Sequence, residues 1–231
     1  MDLAQIVGYL VGLPLEVLVV DAMRRGAAYR RYPFVFLYVI VDFITTVVEI
    51  QPGLEFKTGT VAAIHRYTTI YWTNQWIMQA LVFLLVIGLL HRASARIGPR
   101  RTVLLGLIGA TLLFAAISLG TYYRPGLSTG KWMTPWTRDL NFCAAILDLV
   151  LWAILIHSKE KDYRLLMVSG ALGVQFAGRA MGESLREISR ATVPLTGILI
   201  LLANLACTYI WWQAFRSPPM PKNIYPKDRA A

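Results

Sequence analysis

Residues 103–123 read VLLGLIGATLLFAAISLGTYY, without a single charged side chain. At about 1.5 Å per residue this stretch makes a helix about 30 Å long, which matches the hydrocarbon core of a bilayer. Six further windows of similar character lie between charged flanks, over residues 3–20, 33–50, 67–90, 136–156, 163–182 and 192–215. The window over 163–182 is the least apolar, because Arg179 interrupts it. A soluble core in a chain of 231 residues has no room for so many uninterrupted apolar runs.

Composition agrees with the windows. The chain is 56% hydrophobic and 16% charged, with a mean hydropathy of +0.52, whereas soluble domains carry about 25% charge. The sequence therefore predicts an all-α integral membrane protein: a single bundle of seven transmembrane helices over residues 1–216. Residues 217–231 follow as a tail carrying Pro218, Pro219, Pro221 and Pro226, expected to be extended or disordered.

Charge sets the expected orientation. With seven spans, fifteen of the 23 basic residues fall on one side, among them Arg24, Arg25, Arg30, Arg31, Arg92, Arg164 and Arg216. Seven fall on the other, and Arg179 stays in the membrane. The positive-inside rule then places the N-terminus outside and the C-terminus in the cytoplasm of a bacterial-type inner (plasma) membrane. The net charge of +10 is read as this orientation signal, with attraction to membrane lipid as a consequence, and not as a nucleic-acid patch. Met1-Asp2 opens the chain with no basic segment, so no cleaved signal peptide is expected.

Other features fit a bundle with short loops. Pro52-Gly53 and Pro125-Gly126 read as turns, and tyrosines and tryptophans gather at span ends as an aromatic belt. Gly8 and Gly12, and the strip Ser169, Gly173, Ala177, Gly178 and Gly182, mark close helix contacts. The charge-free span 103–123 is placed at the bundle edge. Cys143 and Cys207 sit about 13 Å apart in depth and read as buried apolar residues, not a disulfide.

Polar residues inside the spans carry the functional reading, since an ionisable group at the bilayer centre costs about 2.5–3.5 kcal/mol. Asp42, Thr45, Thr46 and Glu49 share one helix face. Trp72, Gln75, Trp76 and Gln79 share another, as do Asn141, Asp148 and Trp152, then Gln175, Arg179 and Glu183, and finally Asn204, Cys207, Thr208 and Trp211. Converging stripes would make a mid-membrane ring of Asp42, Gln79, Asp148, Gln175 and Asn204, opening outward past Gln75, Asn141 and Arg179. One reading is a binding site for a small solute or ion in a transporter or ligand-sensing bundle, with Asp42 and Asp148 as proton carriers if transport is proton-coupled. The other is interhelical hydrogen bonding, worth about 0.6 kcal/mol per bond on average, with Arg179 neutralising Asp148 or Glu183.

A different class of function also fits: a structural or cofactor-holding subunit of a larger membrane complex, partnered with other membrane subunits. His91 and His157 share a depth at the inner ends of their spans and could hold haem or a chlorophyll-type ring, although a histidine at a span end is more often an interfacial anchor. All six lysines lie outside the spans, so a retinal Schiff base is excluded. No Gly-x-Ser-x-Gly, His-Glu-x-x-His or paired-aspartate run is present, and the reading favours a non-enzyme.

Overall fold

The computed structural model describes residues 3–56, 59–93, 100–126, 129–157, 162–188 and 193–216. Among these residues the chain is all-helical, with eight helices: α1 (Leu3–Arg25), α2 (Ala28–Arg31), α3 (Pro33–Glu55), α4 (Val61–Ala93), α5 (Arg100–Tyr122), α6 (Thr129–His157), α7 (Tyr163–Ile188) and α8 (Val193–Arg216). Each of the seven apolar windows falls on one of the long helices. Helix α2 is a single turn that reverses the chain after Gly26, where Ala27 takes a left-handed φ of 48°. The proline-rich tail lies outside the described residues.

The helices run further than the apolar windows. Helix α3 continues to Glu55 and carries Pro52 and Gly53 inside it, so the expected turn there is a helical segment. The polar Gln51 and Glu55 support this extension, with Gln51 Nε2 donating to Glu55 Oε1 at 3.0 Å. Helix α6 likewise begins at Thr129, before the apolar run, and takes Pro135 in its second turn. At Pro125-Gly126 the turn forms, with Gly126 at φ 90°.

Helices α3, α4, α6 and parts of α5 (Leu105–Tyr122) and α8 (Leu195–Arg216) are long and apolar enough to cross a membrane. Among the described residues, α1 and α7 are not in that set, and in α7 it is Arg164, Arg179, Glu183 and Arg186 that lower the hydropathy. Its surroundings compensate. Helix α7 packs along both α6 and α8, and the six-helix circuit α1–α3–α4–α6–α7–α8 closes when α8 returns to α1. Helix α5 lies outside that circuit against α6 and α4, with Leu105, Leu112, Leu113 and Ile117 exposed. Large apolar side chains cover the outer faces of the other helices too, including Leu10, Leu149 and Leu202. Water would penalise such a surface, and lipid does not. The protein is therefore membrane-embedded.

Glycines set the tight contacts. A Cβ on Gly8 would come within 2.9 Å of Leu201 on α8, one on Gly182 within 2.6 Å of Ile200, and one on Gly178 would overlap the Ala203 side chain. The small-residue strip of α7 is thus divided between two neighbours. Gly178 and Gly182 face α8, whereas Ser169 and Gly173 face Asp148 on α6; Ala177 points outward.

Core packing is unequal along the bundle. Val19, Met23, Val35, Leu85, Val86, Leu90, Leu151, Leu155, Leu165, Val168 and Leu172 pack together towards the end where α1 finishes and α3 begins. That end is fastened by Arg31, which bridges to Asp162 at 2.8 Å. Asp162 also accepts from the Leu165 amide at 3.3 Å and so caps α7. The buried Tyr32 hydroxyl points at the same carboxylate; burial, then the Asp162 charge, pushes its pKa up to about 12. The hydroxyl consequently stays protonated and donates across the physiological range. Asp21 pairs with Arg25 at 2.8 Å on the α1 surface.

Candidate functional site

In the opposite half of the bundle the interior turns polar. The inward face of α3 carries Val35, Tyr38, Val39, Asp42, Thr45 and Glu49, as the i, i+3, i+4, i+7 spacing requires. Asp42 and Arg179 lie at the centre of this region. The Arg179 guanidinium interacts electrostatically with Tyr38 and Asp42 on α3, with Tyr71 on α4 and with Glu183 one turn away on α7. Both Asp42 and Arg179 are largely enclosed by the three helices around them, with a minor part of each residue still exposed. Among the described residues, Arg179 Nε has no hydrogen-bond partner.

Two asparagines hold the neighbouring carboxylates. Asn74 Nδ2 donates to Glu49 Oε1 at 2.8 Å and to the Thr45 carbonyl at 3.3 Å, tying α4 to α3. Asn141 Nδ2 lies 3.4 Å from both Glu183 oxygens and ties α6 to α7. Deeper, Gln175 Nε2 donates to the Tyr38 hydroxyl at 3.0 Å and to Asn204 Oδ1 at 2.6 Å, while Cys207 Sγ donates to Gln175 Oε1 at 3.5 Å. The Tyr38 ring meets Trp211 edge-on at 5.6 Å, and Trp211 Nε1 donates to the Val168 carbonyl. This layer joins α3, α7 and α8 and forms the floor beneath Asp42 and Arg179.

The predicted residues thus separate into groups. Asp42, Gln175, Arg179 and Asn204 come together in this interior, with Asn141 reaching it through Glu183. Asp148 is 3% exposed between α6 and α7, where its Oδ1 accepts from Ser169 Oγ at 2.7 Å. Along α7, Ser169 is ten residues from Arg179, about 15 Å, and the partners of Arg179 are Asp42 and Glu183. Gln79 is 5% exposed, and its Nε2 finds no partner. Gln75 is half-buried, Trp76 and Trp152 are exposed, and Asn74 is the residue that α4 turns inward.

Three participants escaped the sequence reading. Tyr71 was assigned to the aromatic belt, Tyr38 lies unmarked inside the apolar run 33–50, and Asn74 lies one position from the glutamine stripe. The signal for Asn74 was its offset from the apolar Met78, Val82 and Leu85, which share its buried face. On α1, Glu16 is a further buried carboxylate. It is 4% exposed with Oε2 unpartnered, and its carboxylate feels the Asp42 charge.

His91 and His157 are both exposed at helix ends, and His157 Nδ1 lies 2.9 Å from the Ala153 carbonyl of its own helix. That contact directs one ring nitrogen to the backbone and orients the other outward.

No family model matches the chain, and no curated protein or solved structure matches it.

Proposed function

We propose that all seven long helices span the membrane, with the N-terminus outside and the C-terminus in the cytoplasm, and that the bundle binds a small solute or ion between Asp42 and Arg179. The observation that carries this reading is the gathering of the Arg179 guanidinium with the Asp42 and Glu183 carboxylates in the bundle interior. Opposite charges at mid-bundle are an expensive way to join helices, which a neutral hydrogen bond does at lower cost. Below them the packed apolar half closes the interior, so the site communicates with the half containing Glu49, Tyr71, Asn74 and Glu183. Three interior carboxylates, those of Asp42, Glu49 and Glu183, lie within electrostatic reach of the Arg179 guanidinium, and Glu16 lies within reach of Asp42. This excess of acceptors favours a cation or a solute bearing an ammonium group, with the Tyr38 and Tyr71 rings alongside.

The test is a thermal-shift series on the purified, detergent-solubilised protein, with monovalent cations, primary amines, amino acids and simple carboxylates as probes. The expected result is stabilisation by a cation or amine, with an apparent affinity weakened at least tenfold in Asp42→Asn. Stabilisation by none of these probes would sink the reading.

Topology has its own measurement. In a background with Cys143 and Cys207 replaced by alanine, Arg66→Cys should react with a membrane-impermeant maleimide on intact cells. Arg216→Cys should react only after lysis. The reverse pattern would invert the proposed orientation.

A further inference from the structure

A second feature lies at the basic end, where α3 begins and α4 ends. Arg31, Tyr32, Pro33, Phe34 and Val35 face Gly88, Leu89 and Arg92 across a small crevice of about 30 Å³. Its polar lip is built. The Arg92 guanidinium lies 4.5 Å above the Tyr32 ring and donates to the Arg31 carbonyl. Arg31 sits at the same lip, 5.8 Å from that ring centroid, and its bridge to Asp162 uses one carboxylate for two guanidinium groups. Among the described residues, the lip therefore carries one more guanidinium than carboxylate.

Below the lip the surface is apolar and open. The Phe34 ring occupies the space where a Gly88 side chain would stand, so only glycine lets α4 come this close to α3 here. One turn further into the bundle, Leu37 on α3 and Leu84 on α4 are both exposed, and Phe34 is itself 42% exposed. The result is a shallow groove running from two arginines down the seam between two membrane helices.

We infer that this crevice binds an anionic glycerophospholipid, with the headgroup phosphate on Arg92 and Arg31 and an acyl chain along the groove formed by Phe34, Leu37 and Leu84. Charge complementarity selects the headgroup, because a planar guanidinium already oriented by stacking on Tyr32 presents its remaining N–H groups to phosphate at little entropic cost. Position selects a lipid over a soluble phosphate, because the apolar groove continues directly from the charged lip into the hydrocarbon zone. The depth also fits: Tyr32 and Arg92 stand at the ends of the two apolar runs, where headgroups lie.

Native mass spectrometry of the full chain, released from nanodiscs of equimolar phosphatidylglycerol and phosphatidylcholine, tests the assignment. Wild type should retain phosphatidylglycerol in at least fivefold preference, and Arg92→Gln should bring the ratio close to one. Arg92→Lys should retain an intermediate preference, since it keeps the charge and loses the stacked fork. Arg216→Gln removes another arginine expected at the same membrane face and should leave the preference intact. Equal loss in Arg216→Gln and Arg92→Gln would reduce the effect to general surface charge and overturn the site. So would displacement of the lipid by millimolar inorganic phosphate, which would reassign the lip to free phosphate. The wild-type ratio stands apart from any folding defect in the variants, and a value near one overturns the proposal by itself.

Discussion

Arg179→Met should destabilise the bundle by about 1–3 kcal/mol, the cost of leaving a buried polar group without its compensating partner. The loss arises mainly from what is left behind: Asp42 and Glu183 remain between α3 and α7 without the cation that offsets their charges. Asn74 on Glu49 and Asn141 on Glu183 keep hydrogen bonds to the neighbouring carboxylates, which limits the cost. The informative experiment is a double-mutant cycle with Asp42→Asn, followed by denaturant unfolding in detergent micelles. If the two charges act on each other, the second substitution should recover part of the loss, giving a coupling of about 0.5–3 kcal/mol. Strict additivity would show that Arg179 is held by Glu183 alone and would remove Asp42 from the site.

Much of the architecture was legible because lipid makes a simple demand on sequence. A backbone in hydrocarbon must satisfy its own hydrogen bonds, so a long apolar run between charges can only be a helix. Each long helix was found this way. What the apolar count missed were the ends, since turns such as Thr129–Pro135 and Gln51–Glu55 continue as helix in a polar environment. Helix α7 shows the same limit from the other side. It reads as the weakest window because it carries Arg179 and Glu183, yet those residues are polar because the helix lies between α6 and α8, facing the bundle interior. Low hydropathy there marks centrality.

The site was legible residue by residue but not pair by pair. Periodicity identified the faces of α3, α7 and α8 correctly, because Asp42, Arg179 and Asn204 each sit at helical spacing from their inward neighbours. It could not say how the faces rotate about the bundle axis. On α4 an error of one position selected Gln75 over Asn74, about 100° of rotation. Asp148 shows the stronger limit, since nothing in one sequence distinguishes a carboxylate facing a central site from one bonded across a seam. The seam partner, Ser169, was visible only as a small residue in a packing strip, and its hydroxyl is what satisfies Asp148.

Glycines give the sharpest contrast between positions of identical composition. Gly178→Leu should destabilise the bundle by about 1–3 kcal/mol or more, the usual cost of forcing extra volume into a packed contact. Even the first added carbon would overlap Ala203 on α8, so the α7–α8 seam must separate. That displacement carries Gln175 away from Asn204 and breaks the floor of the site. Gly106→Leu on α5 makes the matched control: nothing lies within 4 Å of its Cβ position, and the residue is exposed on an edge helix. Its stability should stay within about 0.5 kcal/mol of wild type, or rise through better helix propensity. Unfolding both variants in the same detergent separates local packing from a general intolerance of bulk in the membrane. A similar loss at both positions would mean that α5 is covered as closely as α7, against the edge position the structure gives it.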